Sequence, residues 1–173
     1  MTRTRTTRTQ HDMDYNGVDQ MQLESPEGAN AFSPETQVAI ARERDNVVAL
    51  RSDLAARASE RWTSATVSAR VPNESLFVIT PAIADATAEV AILADFNGTA
   101  VPHTPGWETE PSPSIEAHAD LYREGESVGG VADLAADDER IFGIGPDAGD
   151  AVDAVLETAA SSPTHVPGSN PGE

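Results

Sequence analysis

The chain contains no cysteine and no lysine, and only 5% of its 173 residues are aromatic. Without cysteine it can form neither disulfide bonds nor thiolate metal sites. No apolar run approaches the roughly 18 residues that a transmembrane helix needs, and the N-terminus lacks the apolar core of a secretory signal. The length and the 39% hydrophobic share fit a single domain. These features predict a soluble, cytoplasmic protein that does not bind membranes.

Basic residues are also scarce. Eleven arginines face 29 acidic residues, which gives a formal net charge of −18. Three of the arginines, Arg3, Arg5 and Arg8, stand in the N-terminal tail, so the rest of the chain is more acidic still. Nucleic-acid binding requires a basic face. The sequence therefore excludes nucleic-acid binding as the main function.

Acidity without lysine predicts a halophilic protein, adapted to concentrated salt. A charge this far from zero destabilises the compact state through self-repulsion, but the Debye length falls to about 3 Å in molar salt. The alternative is an acidic interaction tail, in which the acidic residues would be grouped in one run at one end of the chain. Here the acids are spread through the segments that have regular hydrophobic patterns.

Composition divides the chain into three parts. Residues 1–32 hold Thr/Arg repeats and then polar residues without an apolar period, and residues 161–173 are rich in proline, glycine and serine. Both compositions are typical of disordered tails. The sequence therefore predicts one ordered domain at residues 33–160.

Capping residues, hydrophobic periodicity and turn dipeptides predict the elements of this domain. Ser33 can cap a helix whose first position is Pro34, and Asn97-Gly98 between apolar runs indicates a hairpin turn. The predicted helices are 33–60, 112–125 and 147–160, and the predicted strands are 66–71, 76–80, 89–96, 99–101, 128–132 and 140–144. This order predicts an α/β fold in which a predominantly antiparallel sheet is flanked by helices.

No catalytic constellation stands out from the residues alone. The four histidines are His11, His103, His118 and His165, and none has a second histidine at the spacing of a local chelate. Nucleophilic catalysis by Ser, His and Asp stays open from the inventory. However, the chain has no Gly-x-Ser-x-Gly elbow, which would place such a serine on an exposed turn.

Four short stretches, in order, resemble one family. Residues 61–70 read RWTSATVSAR, similar to W-T-S-G-N-V-S-A-R; residues 76–81 read LFVITP; residues 95–101 read DFNGTAV, similar to D-L-D-G-x-V-V. Residues 111–131 are similar to P-S-S-D/E-T-x-x-H…Y-R…V-G-G-V. Together they resemble the class II aldolase/adducin family over roughly residues 36–132, especially its L-ribulose-5-phosphate 4-epimerase and fuculose-phosphate aldolase branches.

The resemblance implies a metal-dependent sugar-phosphate enzyme. The family binds a divalent cation, usually zinc, through a His-x-His pair and a later histidine. It uses an Asp or Glu near the start of the second helix and holds the substrate phosphate with backbone and hydroxyl groups. The metal acts as a Lewis acid that stabilises an enediolate. Family members usually assemble as tetramers with sites between subunits.

Much of this apparatus is absent at the matching positions. The family's histidine pair falls on Asp133 and Ala135, and its acid falls on Ser114. Only Thr63 and Ser112 remain as phosphate-facing hydroxyls. In the other phosphate loops, the family's Gly-Asn is Ala65-Thr66 and its Ser-Gly is Ala82-Ile83. The chain after Asp133 is also too short for the family's remaining strands, which predicts a fold that is incomplete in its C-terminal part.

Three hypotheses follow. The first is a pseudoenzyme that has lost its metal and needs no cofactor; it acts as a homo-oligomer or with an intact paralogue, or it is a decaying gene product. The second is an active aldehyde-lyase or pentose-phosphate epimerase with zinc or another divalent cation in a rearranged site of Glu116, His118 and Asp133. The third sets the resemblance aside and takes the chain as an acidic, non-enzymatic interaction module.

Overall fold

The computed structural model describes residues 32–81, 90–102 and 114–162. Among these residues, the helices and strands all lie in the unit Ser33–Glu173. In chain order, the helices and strands are α1 (Pro34–Arg57), β1 (Ser64–Arg70), β2 (Leu76–Ile79), β3 (Ile92–Asp95), α2 (Ser114–Glu124), β4 (Gly130–Ala136), β5 (Glu139–Gly145) and α3 (Ala148–Ser161). The predicted tails fall almost wholly outside the described residues and stay predictions.

Helix α1 begins where the sequence predicts. The Ser33 hydroxyl accepts a hydrogen bond from the Thr36 amide at 3.2 Å, and Pro34 occupies the first turn, where an amide hydrogen would have no partner. The helix ends at Arg57, three residues before the predicted end, because Ala58 adopts an extended backbone. Its buried face repeats every seven residues through Ile40, Val47 and Leu54.

The five strands form one antiparallel sheet in the order β3-β2-β1-β4-β5. The β1–β2 hairpin turns through Asn73, which has a positive φ of 62°, a conformation that asparagine tolerates. The β4–β5 hairpin turns through Asp137 and Asp138. The predicted α/β fold, an antiparallel sheet flanked by helices, is confirmed.

The two faces of the sheet carry different helices. Helix α2 packs on one face, where its Ile115 and Ala119 join Phe77 and Ile79 of β2 in a buried apolar cluster. Helices α1 and α3 contact each other and the sheet. Side chains alternate between the two faces along a strand, and Gly143 of β5 lies on the face opposite to α2. There it lies directly under α3. The sheet is therefore covered on both sides.

Four strand predictions need correction. The strand predicted at 89–96 is Ile92–Asp95, and its predicted partner at 99–101 contributes one isolated bridge, Ala94 to Ala100. The Asp95 carboxylate accepts hydrogen bonds from the amides of Asn97 and Thr99, so a tight turn replaces a longer ladder. Strands β4 and β5 are longer than predicted, since Asp133 and Ala135 continue the ladder with β1.

In the described part of the chain, no helix combines the length and the apolar character needed to span a membrane.

Replacing Gly143 by alanine tests the contact between β5 and α3. A Cβ at Gly143 would lie 2.1 Å from the Ala151 carbonyl oxygen and 2.4 Å from the Val155 amide nitrogen, so the helix must shift. We expect Gly143→Ala to lower the free energy of unfolding by about 1–3 kcal/mol. Urea unfolding in molar KCl provides the measurement.

The control is Gly149→Ala, within α3. Its new Cβ meets only the Asp147 carboxylate at 3.2 Å, and alanine is favoured over glycine in helices by about 1 kcal/mol. We expect its stability to be unchanged or higher. Equal losses in the two variants would contradict the close packing of β5 against α3.

Candidate functional site

A buried polar network lies between α2 and the sheet. It contains Ser68 of β1, His118 and Tyr122 of α2, and Asp133 of β4, and none of these residues is more than 2% exposed. The two helical residues stand four positions apart and therefore share a face. Ser68 and Asp133 point to the same side of the sheet because side chains alternate along each strand.

The four side chains form a continuous chain of short hydrogen bonds. His118 Nε2 lies 2.7 Å from Asp133 Oδ2, and His118 Nδ1 lies 2.7 Å from Ser68 Oγ. Ser68 Oγ lies 2.8 Å from the Tyr122 hydroxyl. One assignment gives each pair one donor: Nε2 donates to the carboxylate, Ser68 donates to Nδ1, and Tyr122 donates to Ser68. Each of these three hydrogen bonds thus has its donor and its acceptor within the protein.

The second oxygen of Asp133 faces an arginine from β5. Asp133 Oδ1 has no hydrogen-bond partner among the described residues, but it lies 3.7 Å from Arg140 Nε. Arg140 also donates to the Ser114 hydroxyl at 3.0 Å, and its side chain is 32% exposed. Its positive charge offsets part of the cost of burying the carboxylate.

Two more buried hydroxyls lie beside Asp133 on β1. Thr66 stands directly opposite Asp133 in the β1–β4 ladder, and Ser64 stands opposite Ala135. Neither hydroxyl has a hydrogen-bond partner among the described residues. The face of β1 toward α2 is therefore polar at Ser64, Thr66 and Ser68, beside an otherwise apolar cluster.

Arg70 fixes the other end of α2. Its guanidinium donates to the carbonyl oxygens of Val128 at 2.8 Å, and of Tyr122 and Gly125 at 3.1 Å each. It also lies over the Phe96 ring, 4.7 Å from the centroid. A cation at carbonyls near a helix C-terminus is electrostatically favourable, so Arg70 ties α2 to β1.

Burial raises the pKa of the Tyr122 phenol above its ordinary value. The hydrogen bond with Ser68 and the charge of Arg70 lower the pKa but offset the effect of burial only in part. The folded protein therefore holds Tyr122 as a neutral phenol.

The arrangement of Ser68, His118 and Asp133 bears on nucleophilic catalysis by Ser, His and Asp, which the sequence alone left open. The three side chains are in hydrogen-bond contact, but each is fully buried, so no substrate reaches the serine oxygen. In serine hydrolases the serine contacts Nε2 and the aspartate contacts Nδ1, whereas here the ring is reversed. Ser68 also lies inside a strand instead of on an elbow. The geometry is that of a structural network.

The structure brings together only part of the predicted metal set. His118 and Asp133 are in contact, but Glu116 is exposed, since two residues turn a helix by about 200°. Among the described residues, no group of three or more His, Asp or Glu side chains could hold a metal ion. Both ring nitrogens of His118 are engaged, and Arg140 would repel a cation at Asp133 Oδ1. These donors do not fit a zinc site, which takes at least three protein ligands.

The other predicted site residues have ordinary structural contacts. The Thr63 hydroxyl and amide both donate to the Ala135 carbonyl oxygen, at 3.3 Å and 2.9 Å. Ser114 is buried beside Arg140, and Ala135 pairs with Ser64 in the sheet. Ser112, Ala82, Ile83 and His103 lie outside the described residues.

Sequence reasoning missed Ser68, Tyr122 and Arg140 as members of this network. One available signal was the polar alternation of β1, where every second residue from Ser64 to Arg70 is polar. A strand covered on both faces should be apolar on both, so such alternation indicates polar partners on the facing helix.

Comparisons with known proteins give a partial likeness to one group of folds. No family model matches the chain, and no curated protein does. An L-fuculose 1-phosphate aldolase from Glaciozyma antarctica PI12 is 15% identical, with a TM-score of 0.46 over 58% of this chain and 43% of that chain. Another L-fuculose 1-phosphate aldolase is 18% identical, with a TM-score of 0.47 over 56% of this chain and 45% of that one.

An aldolase II superfamily protein from Pseudomonas syringae is 19% identical, with a TM-score of 0.45 over 62% of this chain and 43% of that chain. The match thus spans less than half the length of each of these proteins. The likeness concerns the fold alone and carries no activity with it.

Removing the buried carboxylate tests the network. Asp133→Asn deletes the charge that holds His118 and Arg140, so we expect the free energy of unfolding to fall by about 2 kcal/mol or more. Asp137→Asn makes the same charge change in the exposed β4–β5 turn and should cost less than about 0.5 kcal/mol. Urea unfolding in molar KCl compares them. Similar small effects in both would show that Asp133 is not structurally engaged.

The raised pKa of Tyr122 predicts a loss of stability at alkaline pH. In the unfolded chain the phenol ionises near pH 10, while the folded state keeps its proton, so the unfolded state binds fewer protons above that pH. Its contribution is fully present below pH 10 and is lost as the pH rises further, by up to about 1.4 kcal/mol per pH unit. Tyr122→Phe should lack this slope. Identical alkaline slopes for both proteins would refute the assignment.

Proposed function

We propose that this chain is a non-catalytic protein on a class II aldolase/adducin-like fold, derived from a sugar-phosphate aldolase or epimerase and acting through binding or assembly. The observation that carries the proposal is the closed, fully buried contact between His118 and Asp133. Asp133 occupies the position at which the resemblance implies a metal-binding histidine. Both groups serve the fold and are withdrawn from solvent.

The acid implied by the resemblance has no replacement at its position. Ser114 stands there, and its hydroxyl accepts a hydrogen bond from Arg140. A serine hydroxyl is far too weak an acid to replace a carboxyl group in acid–base catalysis near neutral pH. The nearest acid along the helix, Glu116, is exposed. This supports the loss of acid–base chemistry at the position.

The phosphate-binding backbone implied by the resemblance is also engaged elsewhere. Ala65 and Thr66 stand where the family has Gly-Asn, and both are paired with β4 inside the sheet. The Ala65 carbonyl oxygen also accepts a hydrogen bond from Arg51 Nε at 3.1 Å. A paired strand cannot turn its amides toward a phosphate as a loop can. This favours a protein that does not bind sugar phosphates at this place.

The net charge of −18 supports the proposal that the protein works in a salt-rich cytosol of a halophile. Molar salt screens the self-repulsion and permits copies of an acidic protein to associate. We therefore propose a homo-oligomer, or a hetero-oligomer with an intact paralogue, as the working form.

One observation favours a second candidate, an active aldolase or epimerase with a rearranged metal site. Asp133 Oδ1 is buried without a hydrogen-bond partner among the described residues, and such an oxygen is available to a cation. To bind one, Arg140 would have to move away and other oxygen ligands would have to approach, since carboxylates suit hard cations. The same experiment separates the two candidates.

The test is metal content and turnover of the full chain in molar KCl. After incubation with Zn²⁺ or Mn²⁺ and removal of free metal, we expect substoichiometric metal and no cleavage or epimerisation of L-fuculose 1-phosphate or L-ribulose 5-phosphate. An intact class II aldolase under the same conditions is the positive control. One equivalent of metal that is lost in Asp133→Asn, together with turnover, would overturn the proposal.

A further inference from the structure

Strand β5 leaves one edge of the sheet without a partner among the described residues. It is the last strand in the order and pairs only with β4. In an antiparallel ladder alternate residues direct their amides and carbonyls to opposite sides. Over the seven residues Glu139–Gly145, about half of these groups therefore point away from β4.

The opposite edge of the sheet, strand β3, is covered by the segment that follows it in the chain. Strand β3 has four residues, and its outer side is bridged by Ala100 and by a hydrogen bond of 2.7 Å from the Val101 amide to the Leu93 carbonyl. The chain thus covers its short edge with its own following segment. The longer edge has no such cover in the described part of the chain.

The composition of β5 suits pairing. Natural edge strands are usually protected by charged side chains, above all lysine, by proline or by bulges. Strand β5 has no lysine or proline, and its two charged residues stand at its start. Its residues after Arg140 are Ile141, Phe142, Gly143, Ile144 and Gly145. The Ile144 side chain is 44% exposed, one of two large hydrophobic side chains exposed among the described residues. The other is Val38 on α1, at 69%.

We propose that β5 pairs antiparallel with β5 of a second copy, about a two-fold axis at Phe142, so that two five-stranded sheets become one continuous sheet. A two-fold interface needs only one self-complementary surface. Centring the pair on Phe142 overlaps all seven residues. It places Glu139 opposite Gly145 and Arg140 opposite Ile144, so no like charges face each other.

The charges at the start of β5 support this register. Glu139 forms an ion pair with Arg61 of its own chain, and Arg140 contacts Asp133 and Ser114 of its own chain. Both charges are therefore compensated before association. The middle and end of the strand, Ile141–Gly145, are uncharged, so Glu139 and Arg140 are the only charges of β5 that a second strand must cover.

The overall charge makes this association dependent on salt. Two copies at −18 each repel at low ionic strength, while molar salt shortens the screening length to about 3 Å. We expect dimers in molar KCl and monomers in dilute buffer. The inference deepens the assembly role proposed above and rests on it. Mass measurements test the interface, whereas metal content and turnover test the loss of catalysis.

The experiment is light scattering and sedimentation of the full chain in molar KCl, with two matched variants. Ile144→Lys and Val38→Lys each replace an exposed aliphatic side chain by the same charge, one on β5 and one on α1. Ile144→Lys should weaken the dimer about tenfold or more, which corresponds to about 1.4 kcal/mol. Val38→Lys should leave it unchanged. Circular dichroism checks that both variants are folded.

A second measurement tests the register. Because the chain has no cysteine, Phe142→Cys introduces a single thiol per copy. Residues that face each other across an antiparallel pair have Cα atoms about 4.5–5.5 Å apart, within the range for a disulfide bond. Mild oxidation should crosslink Phe142→Cys, and Val38→Cys should remain uncrosslinked.

Three results would overturn the inference. The first is a monomer at every salt and protein concentration, as expected if a segment of the same chain covers β5. The second is a dimer that Ile144→Lys does not weaken, or that Val38→Lys weakens equally. The third is equal crosslinking of the two cysteine variants.

Discussion

The hydrogen bond between His118 and Asp133 is the interaction on which the rest of the domain depends. It joins α2 to β4 in a fully buried place, and Ser68 extends it to β1. A buried carboxylate is tolerated only when charge and hydrogen bonds compensate it, so the pair fixes where α2 lies on the sheet. The same contact engages His118 Nε2 and Asp133 Oδ2, two atoms that could otherwise bind a metal ion.

Local signals were sufficient to predict most of the fold. The Ser33 cap, the Asn97-Gly98 turn and the end of α2 before Gly125 each depend on a few adjacent residues, and each lies where predicted. The extent of β4 could not be predicted in the same way. Asp133 interrupts the apolar pattern there. The cost of burying its carboxylate in a strand is offset by His118 and Arg140, which are distant in the sequence.

The site was predictable only in part. The resemblance to class II aldolases singled out His118 and Asp133, because they stand at or near positions with a family role. Their direct contact was not foreseen, since it depends on how β4 and α2 face each other. Ser68 lies 50 residues before His118, and no short pattern connects them. Glu116 was expected beside them, but helical geometry turns it away.

The central claim is that His118 and Asp133 form a closed structural contact. The most direct test is NMR of the His118 ring, in full-length protein labelled with ¹⁵N and held in molar KCl, during titration with Mn²⁺. A paramagnetic ion broadens the signals of any ring that it binds, and the other three histidines serve as internal references. The account predicts that the His118 ring signals stay sharp at one equivalent and that its Nε2 hydrogen exchanges slowly with solvent. Selective broadening of His118 at one equivalent would contradict it.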